Sequence, residues 1–238
     1  MRKPLLTFAA LVLAAAPAAA APKLETVLAR HFEAMGGLGR LRALSSVTVA
    51  GTDTWDGKPT RFVTTRARPN LMRYEASGPE GTMVKAFDGK QLWFAKDGKA
   101  ELAPAAKSSM MKAKSEFDDV LMDWEKKGHK VTLVGEENGA YVIDIALAGG
   151  DSQRRFIEAK SFLEVKRVMT FTYDGVQKTK TMTFSDYRTT AGIPSPHVWE
   201  VEHDGKKGRT VIDEIRWNGK VDLASFAPPK DAVAAAAK

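Results

Sequence analysis

Residues 68–98 read RPNLMRYEASGPEGTMVKAFDGKQLWFAKDG, and this stretch decides the fold class. Met72, Tyr74 and Ala76 alternate with Arg73 and Glu75, the period of two that sends successive side chains to opposite faces of a strand. Gly78-Pro79, Asp88-Gly89 and Asp97-Gly98 interrupt the alternation at short intervals. Asp-Gly pairs favour two-residue turns whose twist matches that of a hairpin. The direct reading is antiparallel strands joined by tight turns.

The same pattern extends outward in both directions. Val47 and Val49 alternate with Thr48 and Ala50, and Tyr141, Ile143, Ile145 and Leu147 alternate with Val142, Asp144 and Ala146. Near the end, Val211, Asp213, Ile215 and Trp217 are expected to share one face. Further turn pairs stand at Asp56-Gly57, Asn138-Gly139, Asp174-Gly175, Asp204-Gly205 and Asn218-Gly219. Together these signals predict a meander of roughly ten or eleven antiparallel strands. No helical pattern separates the strands as βαβ units would require, which excludes a parallel sheet.

Helical spacing occurs in two places. Leu24, Val27, Leu28, Phe32 and Met35 form one stripe, ended by Gly36-Gly37, with Leu38 to Leu44 as a short second helix. Met110, Phe117, Val120, Leu121 and Trp124 form another within Ser108 to Lys127, before a stop at Gly128. This predicts a central helix lying across the sheet. The expected fold is α+β, one domain over residues 21–231.

The first 20 residues, MRKPLLTFAALVLAAAPAAA, read as a cleaved signal peptide. Arg2 and Lys3 precede an apolar run of roughly 12 residues, shorter than the ~20 that span a bilayer. Ala18-Ala19-Ala20 fits the cleavage pattern, and a cut after Ala21 would leave Pro22 at the new terminus. Loss of Arg2 and Lys3 lowers the formal charge from +7 to +5, and the product is expected to be exported and soluble. Residues 232–238 (AVAAAAK) are expected to form a frayed tail.

Composition bounds the chemistry. A chain of 238 residues with 44% hydrophobic and 27% charged residues has material for a sizeable core and is unlike disordered sequences. The absence of cysteine excludes disulfides, thiolate metal sites and thiol nucleophiles, so stability must come from apolar burial. His197 and His203, six residues apart on a strand, would lie ~20 Å apart, too far to share a metal. Metalloprotease, nucleophile-elbow and P-loop patterns are missing, and the adjacent acids of Asp118-Asp119 and Glu136-Glu137 diverge. No catalytic residue, metal or cofactor is therefore expected, and an enzyme is not. The basic residues are scattered, which argues against a nucleic-acid partner.

Two segments resemble the bacterial periplasmic lipoprotein carrier family, LolA and its relatives. They are Arg68 to Tyr74 (RPNLMRY) and Phe87 to Phe94 (FDGKQLWF), with 20 residues from Arg68 to Asp88. Asp222 to Pro229 (DLASFAPP) is similar to the family's closing F-x-P-P element. The resemblance implies an unclosed β-barrel with helices as a lid over a hydrophobic cavity. Such a protein shields acyl chains of lipoproteins or membrane lipids between an inner-membrane donor and an outer-membrane acceptor, acting as a monomer without a cofactor. It implies that Arg68 is a gate tying down the lid. It implies a cavity lined by Met72, Tyr74, Phe87, Leu92, Trp93 and Phe94, and a lid whose inner side carries Met110, Met111, Phe117, Leu121 and Trp124.

The residues alone leave alternatives open. Trp93 fits either the cavity wall or outer packing, because one register slip flips the face. The central apolar stripe fits permanent core as well as a lid. Gly36-Gly37-Leu38-Gly39 departs from the principal carrier and widens the possible clients to phospholipids, sterol-like molecules or a restricted lipoprotein set. A second function suits the same fold: a sensor module acting through a protein partner without lipid transfer, similar to the periplasmic regulator of an envelope-stress sigma-factor pathway. A lipid hydrolase would need a nucleophile and base that the sequence lacks.

Overall fold

The apolar stripe near the start folds as helix α1 (Leu24–Ala34), which buries Val27, Leu28, His31 and Phe32. Gly36 and Gly37 end it with φ of +99° and +91°, and the Gly37 N–H returns to the Phe32 carbonyl. Gly36 is doubly constrained, since an added Cβ would stand 2.4 Å from the Gly192 carbonyl oxygen. A short helix α2 (Leu38–Arg42) follows. The computed structural model describes residues 22–173 and 175–234. The leader expected at residues 1–20, Asp174 and residues 235–238 lie outside them.

Six strands then run in succession: β1 (Ser46–Trp55), β2 (Lys58–Ala67), β3 (Leu71–Gly78), β4 (Gly81–Phe87), β5 (Leu92–Lys96) and β6 (Lys99–Leu102). Helix α3 (Ala105–Lys114) and a turn-rich strap, residues 115–128, separate them from the second series. That series is β7 (Lys130–Glu137), β8 (Ala140–Ala146), β9 (Ser152–Glu158), β10 (Glu164–Tyr173), β11 (Val176–Thr190), β12 (Ile193–His203) and β13 (Lys206–Trp217). A 3-10 turn at Leu223–Phe226 and the two-residue β14 (Val233–Ala234) follow. Val233 and Ala234, expected in a frayed tail, instead pair with Glu101 and Leu102 of β6.

The 14 strands of the described residues form one sheet in the order β14-β6-β5-β4-β3-β2-β1-β13-β12-β11-β10-β9-β8-β7. Every pairing is antiparallel except that of β14 with β6. The edge strands β7 and β14 do not pair with each other, so the sheet is unclosed. The expected ten or eleven strands undercount it because several turns carry no Asp-Gly or Asn-Gly pair. The β11–β12 turn, for example, uses Ala191 at φ +52° and Gly192 at +75°. At Asp56-Gly57, Asp97-Gly98, Asn138-Gly139 and Asp204-Gly205 both residues have positive φ, as two-residue hairpin turns demand. Asn218-Gly219 instead ends β13, where the Asn218 side chain accepts the Ser45 N–H at 2.7 Å.

The sheet curls. β3 and β11 stand five strand spacings apart, roughly 24 Å in a flat sheet at ~4.8 Å each, yet Tyr74 and Met182 line one groove. The inner face is covered at one end by α1, whose Val27, Leu28 and Phe32 pack with Leu121 and Met122 of the strap onto Val131, Ile143, Ile145 and Ile157. A second apolar cluster joins Val47, Phe62, Ala76, Ile212 and Ile215. A third, Phe87, Leu92 and Ala103 with Met111 against them, lies beneath α3.

Two sequence expectations are corrected here. Val211, Asp213, Ile215 and Trp217 do not share a face. The β1–β13 register shifts between Ala50 and Gly51, leaving Asp213 as the extra residue, so Ile212 and Ile215 are both buried while Val211 is exposed. The central helix does not reach Lys127 but stops at Lys114. The carbonyls that would continue its ladder are taken by side chains: Arg66 donates to those of Ser115 and Glu116, and Lys127 to that of Asp119. The Asp119 carboxylate also accepts the Leu121 N–H at 2.8 Å, a local bond that competes with helix.

Candidate ligand-binding groove

Strand register sets which side chains face inward. One inner row runs Phe94, Lys85, Tyr74, Thr64, Val49, Ile215 across six strands. The next runs Leu92, Phe87, Met72, Arg66, Val47, Trp217. Between the α1 and α3 ends these rows leave a groove of about 430 Å³, within the ~300–1,000 Å³ range of small-molecule sites. Its walls include Val47, Val49, Trp55, Phe62, Tyr74, Met182, Trp199, Ile215 and Trp217, with Asp53, Arg66 and Lys180 among them. From Val47 to Trp55 it follows eight residue steps of β1, roughly 26 Å at ~3.3 Å each. The Trp55 indole can lie against the opposite strand because its neighbour is Gly208, where a Cβ would be 2.5 Å from the ring.

The groove's polar groups are few. Asp53 accepts from Thr210 Oγ1 at 2.5 Å and from the Tyr74 hydroxyl at 3.4 Å. Burial, with the Asp53 charge beside it, pushes the Tyr74 phenol up to about 12. Burial lowers the Lys180 ammonium, opposed by the charge of Asp53. Burial also lowers Arg66, whose Nε is enclosed without a hydrogen-bond partner. Among the described residues, no group of three or more His, Asp or Glu is placed to hold a metal.

Three arginines hold the strap over the inner face. Arg66 donates to the Glu116 carbonyl at 2.5 Å. Arg68 donates to both carboxylate oxygens of Asp118, at 2.5 and 2.6 Å, and to the carbonyls of Leu41, Arg42 and Leu44 around the end of α2. Its guanidinium also sits 5.0 Å from the centre of the Phe117 ring. Arg155, only 2% exposed, donates to both oxygens of Asp119 at 3.0 and 2.9 Å. Partial burial alone would raise the Asp119 carboxyl, but the charges of Arg155 and Arg167 and the Leu121 amide outweigh it and hold it well below the usual range. Glu164 is lowered in the same way, desolvation being overcome by Arg167 and Arg155.

The residues singled out in the sequence fall in several places. Tyr74 lines the groove, and Phe117 packs against its apolar cluster. Met72 and Phe94 lie on the inner rows, the latter exposed. Phe87, Leu92 and Met111 form the separate cluster under α3, and Met110 is exposed on that helix. Leu121 and Trp124 pack with α1 as core at the other end, and neither lies on a helix. Trp93 points outward: its Nε1 donates to the Phe226 carbonyl at 2.8 Å and Arg73 stands over its ring. That corrects its assignment to the cavity and decides for outer packing. Asp53, Trp55, Phe62, Arg66, Lys180, Met182, Trp199 and Trp217 were missed. The signal was present for Trp55, an aromatic closing a strand before Asp56-Gly57, with Gly208 flanking the matching turn at Asp204-Gly205.

No family model matches the chain, and no curated protein matches it significantly. Solved structures do. A LolA superfamily protein from Nitrosomonas europaea superposes with a TM-score of 0.58 at 12% identity, over 87% of this chain and 98% of that one. A DUF1329 family protein from Desulfovibrio piger gives 0.56 at 10% identity, over 86% and 97%. The chain has the LolA-like fold.

Proposed function

We propose that the protein is a periplasmic carrier that holds acyl chains in the groove and ferries them between membranes, from an inner-membrane donor to an outer-membrane acceptor, without chemistry. The observation that carries this reading is an apolar channel walled by Trp55, Trp199 and Trp217 on the inner face of an open sheet. Its ~26 Å run exceeds the ~15 Å that one leaflet's chains span in a bilayer of ~30 Å hydrocarbon thickness. Exposing a palmitoyl chain to water costs on the order of 10 kcal/mol at ~0.8 per CH₂, and such a channel offsets that cost. The strap, tied by side chains rather than by a sheet ladder, is the element that parts to admit the chain. Arg68 is its gate.

The test is native mass spectrometry with lipid extraction on mature protein purified from its own periplasm. Lipid or lipoprotein bound at near one-to-one ratio is the expected result. Protein that is ligand-free and ignores added lipid would overturn the carrier and favour a module acting through a protein partner.

A further inference from the structure

The inner face carries more positive charge than its own acids answer. Arg66 lines the groove from β2 and Lys180 from β11, while Lys85 stands beside Tyr74 in the strand register. Among the described residues none of the three is in an ion pair, although each is half-buried. Burial lowers all three, and the charge of Lys114 adds to the effect at Lys85. Asp53 is the one acid in the lining; it accepts from the hydroxyls of Thr210 and Tyr74, and its charge only partly offsets burial at Lys180. Arginine pairs elsewhere on the inner face are complete: Arg155 has Asp119 and Arg167 has Glu164.

Holding cations against apolar walls without an ion pair is unfavourable, the more distant charges of Asp53 and Asp119 offsetting burial only in part at Lys180 and Arg66, and an anion brought by the ligand relieves it. We propose that the groove selects amphiphiles with an anionic head, a carboxylate or a phosphate ester, and that Lys180 and Lys85 are its principal contacts. The inference rests on the reading of the groove as an acyl-chain site. It narrows that reading, because an uncharged acylated head would leave these cations unanswered. Arg66, tied to the strap at Glu116, adds its charge to the same wall, while its Nε stays enclosed and without a hydrogen-bond partner among the described residues.

The test uses the mature protein and follows the intrinsic fluorescence of the groove tryptophans. The probes are dodecanoate, dodecyl phosphate, dodecyl maltoside and dodecyltrimethylammonium, each below its micelle concentration. The two anions are expected to bind about tenfold or more tighter than the maltoside, with the difference shrinking as salt is added. Lys85→Gln/Lys180→Gln, checked for a native unfolding midpoint, is expected to abolish that difference. Equal binding of anionic and uncharged probes, or a double variant that keeps the preference, would overturn the head-group assignment and leave the acyl-chain site standing. Binding of none of the probes would instead sink the acyl-chain reading itself. Inorganic phosphate is expected not to compete, and competition by it at the concentrations used for dodecyl phosphate would overturn the amphiphile in favour of a simple anion site.

Discussion

Arg68 grips both oxygens of Asp118 while reaching the Leu44 carbonyl, so one side chain on the rim of β2 fastens the strap and the segment after α2 together. Planar guanidinium donors suit such a fork, and a leucine offers none. Arg68→Leu is expected to cost ~1.5–3 kcal/mol, the range for hydrogen bonds to charged groups. Amide exchange should quicken across residues 115–128 while β8 and β9 stay protected, and bound lipid should leave faster. Unchanged exchange in the strap together with unchanged lipid retention would refute the gate.

Leu121 and Trp199 separate stability from binding. Leu121 is 1% exposed in the cluster under α1, whereas Trp199 lines the groove. Leu121→Ala is expected to lower stability by ~2–5 kcal/mol with little change in affinity for an acyl probe. Trp199→Ala should weaken that probe severalfold at a smaller cost in denaturation midpoint. Reversed results would place the ligand under α1 instead.

Acid should weaken the fold in two stages. His31 is buried, and burial lowers its pKa although its Nδ1 bonds the Phe162 carbonyl at 2.7 Å. The unfolded chain therefore binds the proton more readily, so the His31 contribution is complete above the unfolded value of ~6.5 and is lost as pH falls towards the lower folded one. Asp119 and Glu164 are also held low, so their contribution is present above ~4 and disappears as pH drops through their folded values. Urea titrations from pH 8 to pH 3 read the first stage in full and the onset of the second. His31→Asn should flatten the first stage only, and a first stage that persists in that variant would assign it to another group.

Gly208→Val should drive the Trp55 indole off the backbone it covers. Overpacking of this kind costs ~1–3 kcal/mol. A red-shifted tryptophan emission and weaker acyl-probe binding are expected together. An unshifted spectrum with native affinity would mean that Trp55 does not shape the groove.

The hairpin grammar was legible because four Asp-Gly or Asn-Gly turns impose their own backbone sign, and so were the buried alternation of Ile143 and Ile145 and the stripe of α1. The bulge opposite Ala50 and Gly51 was not, since it arises from pairing between β1 and β13 and reverses the face of Val211. The strap read as helix because Phe117, Leu121 and Trp124 keep helical spacing. What melts that helix is Arg66 and Lys127 claiming its carbonyls from outside the segment or across it. The groove was the least legible part. It is built from β1, β2, β3, β11, β12 and β13 at once, and only curling brings them together.

The strand order also has a kinetic meaning. From β1 to β6, and again from β7 to β13, each strand pairs with its neighbour in sequence, and β1 with β13 is the one antiparallel ladder between the two series. Local ladders close small loops and form early, whereas a pairing between residues such as Val49 and Ile215 pays the entropy of closing most of the chain. Folding is thus expected to divide into two zippers and one late suture. The suture runs along the floor of the groove, so on this order the binding site comes into being only at the last step, when the halves are sewn together.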